Sequence, residues 1–291
     1  MPNCITHDLH AKKVLALLSE GERDQLHHAA FVWGAQGPDF LLCHRFFPWM
    51  KGESLTGYHM KLHAHPPVET LNCLREFLFT KDDGGVYRSY IYGFLCHYAL
   101  DSTAHPYVIA FSKELLHERP YETESTLHVE IESSLDTIML RRETGRLPTE
   151  IKLKKMFPKD EPAQSAIAQI YQFLFDKLFQ AQISRQAIFE ATADAHKVFI
   201  ALTDRTTLKK KIFDRIEKGR PSKISSHLIP VMENEGIDYA NSSKNPWTAD
   251  GKSRQENFFE LFDEAVQKAA AFITEFDTAD FFTLTRNIPF G

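Results

Sequence analysis

Cysteine is scarce in this chain. Cys4, Cys43, Cys73 and Cys96 all lie in the first third, with no C-x-x-C pair. Their scattered spacing favours buried free thiols in a reducing compartment over a disulfide framework. No run approaches the ~18 apolar residues that a membrane span needs. The N-terminus, Met1 to Asp8, has neither the basic nor the apolar region of a secretory leader. The expected location is therefore cytoplasmic. Long basic stretches are also lacking, and the net charge is −5. Steered binding to duplex nucleic acid is not expected, although a metal cluster could still hold phosphate locally. Neither a G-x-S-x-G elbow nor an activated-cysteine pattern occurs, which favours attack by water over attack by serine or cysteine. No alternating strand, internal repeat or low-complexity tract is visible.

What is present is helical periodicity. With 43% hydrophobic and 25% charged residues in 291, there is enough apolar material for a sizeable core. Thr6 can cap a first helix to about Leu18, and a second runs from Glu22 to Val32, stopping at Gly34 and Gly37-Pro38. The aromatic stretch from Phe40 to Met60 is expected to be a loop. Pro66-Pro67 open a helix that Asp82-Asp83-Gly84-Gly85 breaks. The next helix, Tyr87 to Ala104, should end or kink at Pro106. Another follows the turn at His117–Tyr121 and continues to Arg142. Three more are expected over Ala163–Ala181, Ser184–Leu202 and Thr206–Lys218. A Ser-, Asn- and Pro-rich stretch from Gly219 to Gly251 is too long for a simple connection. Ser253-Arg254-Gln255-Glu256 is a capping-box pattern for a last helix ending near Phe276. The expected fold class is all-α, as one domain over residues 1–291.

Two helical stretches carry metal-capable pairs. His97 and Asp101 are four apart, with His105 four further on; His128 and Glu132 are also four apart. Residues at that spacing share a helix face and can aim at one point. Imidazole and carboxylate are the ligands of catalytic zinc. Both pairs sit in apolar surroundings, where an unpartnered polar face is costly. Taken singly, each pair reads better as an i,i+4 ion pair on a helix surface. Upstream, His7 stands near the start of the first helix. Gly37-Pro38 would fix the backbone that presents Asp39, and His59, His63 and His65 cluster before Pro66. His27, His28, His44, His117, His196 and His227 match no pattern and are assigned structural or surface roles.

An N-terminal His, then G-P-D, a His, H-x-x-x-D with a following His, and H-x-x-x-E together resemble the zinc-dependent phospholipase C family. That family shares its helical fold and three-zinc site with the single-strand-specific zinc nucleases. The stretch Tyr92 to Tyr107 (YGFLCHYALDSTAHPY) is similar to bacterial members, and Asp238-Tyr239-Ala240-Asn241 with Asn245-Pro246-Trp247 resembles their C-terminal D-x-x-N…W element. The resemblance implies an all-α domain with a metal cluster in a central cleft, holding two to three zinc ions. It makes Asp101 a bridge between two ions. Asp39 and His97, with a histidine of the 59–65 cluster, complete one shell; His63 fits best, with His65 and His59 as alternatives. His105, His128 and Glu132 match the ligands of a separate ion, and His7 matches the ligand that shares its ion with Asp101. Two features depart from the secreted members. Their N-terminal tryptophan amine is a zinc ligand, whereas this chain starts Met1-Pro2, where removal of Met1 would expose a proline amine. They also place the ligand matching His105 six residues after the bridging aspartate, not four.

The function implied is a zinc-dependent phosphodiester hydrolase of the phospholipase C type, acting on a phospholipid head group or another phosphodiester small molecule, with Asp39 placed to take the proton of the attacking water. A nuclease or nucleotidase on the same scaffold is the enzymatic alternative, with Trp49 or Tyr58 as a base-stacking platform. A non-catalytic metal-binding protein is the other. The Phe46-Phe47-Pro48-Trp49 loop is read as core or rim packing, with transient membrane-surface contact as its functional counterpart.

Overall fold

The computed structural model describes residues 4–81, 85–234 and 236–290. Twelve α-helices are described: α1 Cys4–Leu17, α2 Glu20–Asp24, α3 His28–Ala35, α4 Thr56–Ala64, α5 Pro67–Phe79, α6 Gly85–Glu118, α7 Glu124–Thr144, α8 Glu161–Phe179, α9 Arg185–Leu202, α10 Leu208–Ile216, α11 Phe258–Glu275 and α12 Phe281–Thr285. Two three-residue strands, β1 Trp247–Ala249 and β2 Lys252–Arg254, pair antiparallel. The fold is all-α.

Helix α6 is the axis. From Tyr90 to Ala104 nearly every side chain is buried, on all faces. A helix apolar all round belongs inside a bundle, and α1, α3, α7, α8 and α11 pack around this one. The crossing of α3 over α6 is close enough to require glycine on both sides. A Cβ on Gly34 would lie 2.0 Å from the Tyr90 carbonyl oxygen, and one on Gly93 2.2 Å from that of Phe31.

Several boundaries differ from expectation. Thr6 lies inside α1, whose N-terminus is capped from another helix: Asp136 of α7 accepts from the Ile5 and Thr6 backbone N–H groups. The expected second helix is broken into α2 and α3. Ser19 and Glu22 form a local capping box, and His27 accepts from the Ala30 N–H to start a new helix. The stretch expected as a loop contains a 3₁₀ turn, Gly37–Cys43, and α4. Pro106 does not end its helix; α6 runs twelve residues beyond it. The proline forfeits one hydrogen bond, and packing against α11 and β1 holds the helix across the gap. Of the residues read as a capping box at 253–256, Ser253 and Arg254 lie in strand β2 of a hairpin turned by Asp250 and Gly251, both at positive φ. The cap of α11 is Asn257, with Glu260 answering it.

Candidate metal centre

Four helices and one 3₁₀ turn bring the sequence-predicted residues together, with His59 and His63 on α4. On α6, His97, Asp101 and His105 repeat every four residues. On α7, His128, Glu132 and Asp136 do the same, and the His105 and His128 rings come within 5.3 Å. Helix α1 contributes His7. Its position is fixed by Asp136, which takes the Thr6 N–H at 2.8 Å and the Thr6 hydroxyl at 2.7 Å. Burial pushes the Asp136 carboxyl up to about 7, against these hydrogen bonds. The Gln36 amide holds the same helix end by donating to the Cys4 carbonyl. Asp39 comes from the 3₁₀ turn. Gly37 before it has φ +53°, and a Cβ there would lie 2.2 Å from the His97 ring, so only glycine lets the turn close on α6.

Asp101 sits at the centre, almost fully buried. Its Oδ1 is 3.1 Å from His7 Nε2, and its Oδ2 is 3.1 Å from His97 Nε2 and 3.5 Å from His63 Nε2. Burial works against its charge, yet His97, His105 and His7 hold the carboxyl well below the usual range. Asp39 Oδ1 is 3.0 Å from His59 Nε2, 3.7 Å from His63 and 3.9 Å from His97. Burial is again outweighed, here by His97 and His59, and Asp39 is held ionised. The remaining group lies beside it: Glu132 Oε1 is 3.2 Å from both His105 Nε2 and His128 Nε2. His65 stands apart from these groups. It pairs with Glu69 at 3.0 Å on the outer face of α5.

These residues form three overlapping sets of three and a separate fourth, His105, His128 and Glu132; within each set the nitrogen and oxygen atoms lie within 4.8 Å of one another. The spacings fit zinc. Two ligands held at ~2.1 Å by one tetrahedral ion lie roughly 3.4 Å apart, and most of the separations above fall near that value. Tautomers point the same way. His105 Nδ1 is 2.9 Å from the Phe290 carbonyl, which only accepts, so Nδ1 carries the proton and donates. His63 Nδ1 likewise donates to the His59 carbonyl at 3.1 Å. In each neutral ring the Nε2 lone pair then faces a carboxylate oxygen, an arrangement that requires a cation between them. Without a metal ion, that cation is a proton. Burial opposes it, but Asp101 and Glu132 prevail and raise His105 to about 10. Both nitrogens of buried His97 lack a hydrogen-bond partner. The N-terminal amine lies outside the described residues.

A cavity of about 860 Å³ opens onto this cluster. Its walls combine Asp39, His59, His63, Asp101, His105, His128 and Glu132 with Leu42, Phe46, Met60, Ile109 and Val129. His44 and His227, assigned structural or surface roles from sequence, also line it; neither shares a helical spacing with a motif residue, so no sequence signal marked them. His10 was passed over as well. It is fully buried one turn after His7. The Phe46 loop is rim: Phe46 borders the cavity, and Trp49 stacks on Phe47 while 73% exposed. Asn241 and Trp247 anchor the long segment without lining this cavity. Asn241 bridges to the Asn245 backbone, and Trp247 packs edge-on to Tyr107 and donates to the Glu256 carbonyl.

An all-α scaffold that gathers histidine and carboxylate groups at a cavity fits a metal-dependent hydrolase. The chain belongs to the zinc dependent phospholipase C family, whose model matches residues 6–190. No curated protein and no solved structure matches it.

Proposed function

We propose that this chain hydrolyses phosphodiesters in the manner of a phospholipase C, with a phospholipid as substrate and with His7, Asp39, His63, His97, Asp101, His105, His128 and Glu132 as ligands of two to three zinc ions. The observation that carries this reading is the set of carboxylate–imidazole separations near 3.2 Å at the wall of an open cavity. Bound zinc would supply a water of lowered pKa and polarise the phosphoryl oxygens. The chain's own residues do the rest. Asp39, ionised and open to the cavity, accepts the proton of the attacking water. His59 donates to Asp39 and fixes its orientation, which leaves the freed Nε2 of His63 as the better ligand of the two. Asp136 holds α1, and through it His7, against α7.

The apolar wall of Leu42, Phe46, Met60, Ile109 and Val129 suits the glycerol and first acyl carbons of a lipid. The nuclease alternative is less favoured, since neither proposed stacking platform borders the cavity; Tyr58 packs on Phe175 and Phe179 instead. A cytoplasmic setting is supported by four buried cysteines, none of them in a disulfide among the described residues. Elemental analysis of protein purified without chelator should give two to three zinc ions per chain. A parallel panel of phosphatidylcholine, a soluble aryl phosphodiester and single-stranded DNA should show release of diacylglycerol. Zinc below one per chain after supplementation would sink the site, and cleavage of DNA alone would replace the lipid with the nucleic acid.

A further inference from the structure

Helix α10 presents an apolar face that nothing among the described residues covers. Leu208, Ile212 and Ile216 are four apart, share one side of the helix, and are 59%, 47% and 62% exposed. The opposite side holds the helix to the body of the protein. Phe213 is half-buried, Lys210 donates to the Ser225 carbonyl at 3.0 Å, and Glu217 accepts from the Ile224 and Ser225 N–H groups at 2.9 Å. The turn Ser225–His227 that receives these contacts carries His227 into the wall of the metal cavity.

Charge surrounds the same face. Residues 208–223 contain seven lysines and arginines against Asp214 and Glu217, in a chain whose net charge is −5. Lys211, Arg215, Lys218, Arg220 and Lys223 form no ion pair among the described residues, while the carboxylate of Glu217 is turned inward. An exposed apolar stripe beside unpaired cations is the pattern of a helix that lies in the plane of a membrane interface. Nine residues are far too few to cross a bilayer. The region also lies beyond residue 190, where the family match ends.

We propose that α10 docks the protein on an anionic lipid bilayer, with Leu208, Ile212 and Ile216 entering the headgroup layer and the cations facing its phosphates and carboxylates. The proposal rests on the phospholipid reading of the cavity and adds to it how the substrate surface is reached. Docking at α10 holds the membrane against a helix whose inner side contacts the Ser225–His227 turn of the cavity wall, so the enzyme would work at the bilayer rather than on dispersed lipid.

The test separates docking from turnover. The zinc-loaded protein is sedimented with vesicles of a phosphonate analogue of phosphatidylcholine, which cannot be hydrolysed, with and without the corresponding phosphatidylserine analogue. Binding to the phosphatidylserine vesicles is expected to exceed binding to the neutral ones and to fall with salt. Replacing Lys211→Gln and Arg215→Gln together should weaken it roughly thirty-fold, at roughly five-fold per cation. Replacing Ile212→Ser and Ile216→Ser should weaken it by about ten-fold or more. Both variants alter exposed positions and should keep zinc content, melting temperature and hydrolysis of a soluble aryl phosphodiester. Equal binding by wild type and both variants, or no preference for anionic vesicles, would overturn the proposal. So would a wild-type dimer that the isoleucine variant dissolves, because the face would then belong to a second copy. Anionic binding without hydrolysis of any diester would retain α10 as a dock while removing the reading of the cavity.

Discussion

Asp101 concentrates more of the site than any other residue. Both of its oxygens face imidazole nitrogens, from α1 on one side and from α6 and α4 on the other. Asp101→Asn should therefore lower zinc content by at least one ion per chain and abolish phosphodiesterase activity, with helical circular dichroism nearly unchanged. A helix-surface ion pair would cost only about 0.2–0.5 kcal/mol and leave zinc untouched. Gly37 offers a second test. An alanine there meets both the positive φ and the His97 ring. The strain should cost about 1–3 kcal/mol, and displacement of His97 should reduce zinc retention in the folded fraction. His10 tests burial without ligation. Desolvation first, then the nearby His7, lower it from 6.5 to about 3, so the unfolded chain binds a proton there that the folded chain refuses. Stability contributed by this position is present above pH 6.5 and lost as pH falls toward 3. His10→Leu should flatten that acid limb by a few kcal/mol (on the order of 1.4 per unit), as read from urea midpoints across the range.

The helices whose boundaries were legible in the sequence are those with strong local signals. Pro67 opens α5, Ser184 caps α9, and His97-Asp101-His105 keep one face because α6 is unbroken there. The misread ones were decided by contacts distant in sequence. Asp136 caps α1 across 130 residues, and no pattern near Thr6 could announce it. Pro106 signals a break by local rules, yet α6 is enclosed by neighbours along its length and continues. The gathering of His7, Asp39, His97, Asp101, His105, His128 and Glu132 was legible because helical spacing and motif order are local; the choice among His59, His63 and His65 was not, because it depends on which ring faces Asp39. The charge excess of α10 was hidden by averaging over the chain. Pro106 also gives an element-level prediction. Pro106→Ala restores a donor inside α6, worth ~3 kcal/mol in a helix interior, less ~0.4–1 kcal/mol as the unfolded chain regains freedom. Packing already bridges the gap, so a net gain of roughly 1–2 kcal/mol is expected, seen as a raised melting temperature at unchanged zinc content.

At the scale of the whole molecule, fold and site are one energetic unit, because α1, α4, α6, α7 and the Gly37–Cys43 turn each contribute a group to the cluster. Removing zinc should therefore weaken the bundle as a whole, and the melting temperature should depend on free zinc concentration. The metal-free chain has a distinctive pH response. His105 is raised from 6.5 to about 10 when a proton must stand in for the cation. That proton's stabilisation is complete below pH 6.5 and disappears as pH rises through about 10, so metal-free protein should lose stability across this window. Zinc-loaded protein should not, because its His105 is already neutral and bound. At pH 8 the same difference is visible directly: zinc can bind only as His105 gives up its proton. Calorimetric titration of metal-free protein in two buffers of different ionisation enthalpy counts the protons released. At least one per chain is expected at pH 8, dropping in a His105→Gln variant, which has no titrating group there. A count near zero in the wild type would mean that His105 is not a ligand and that the α6–α7 group holds no ion.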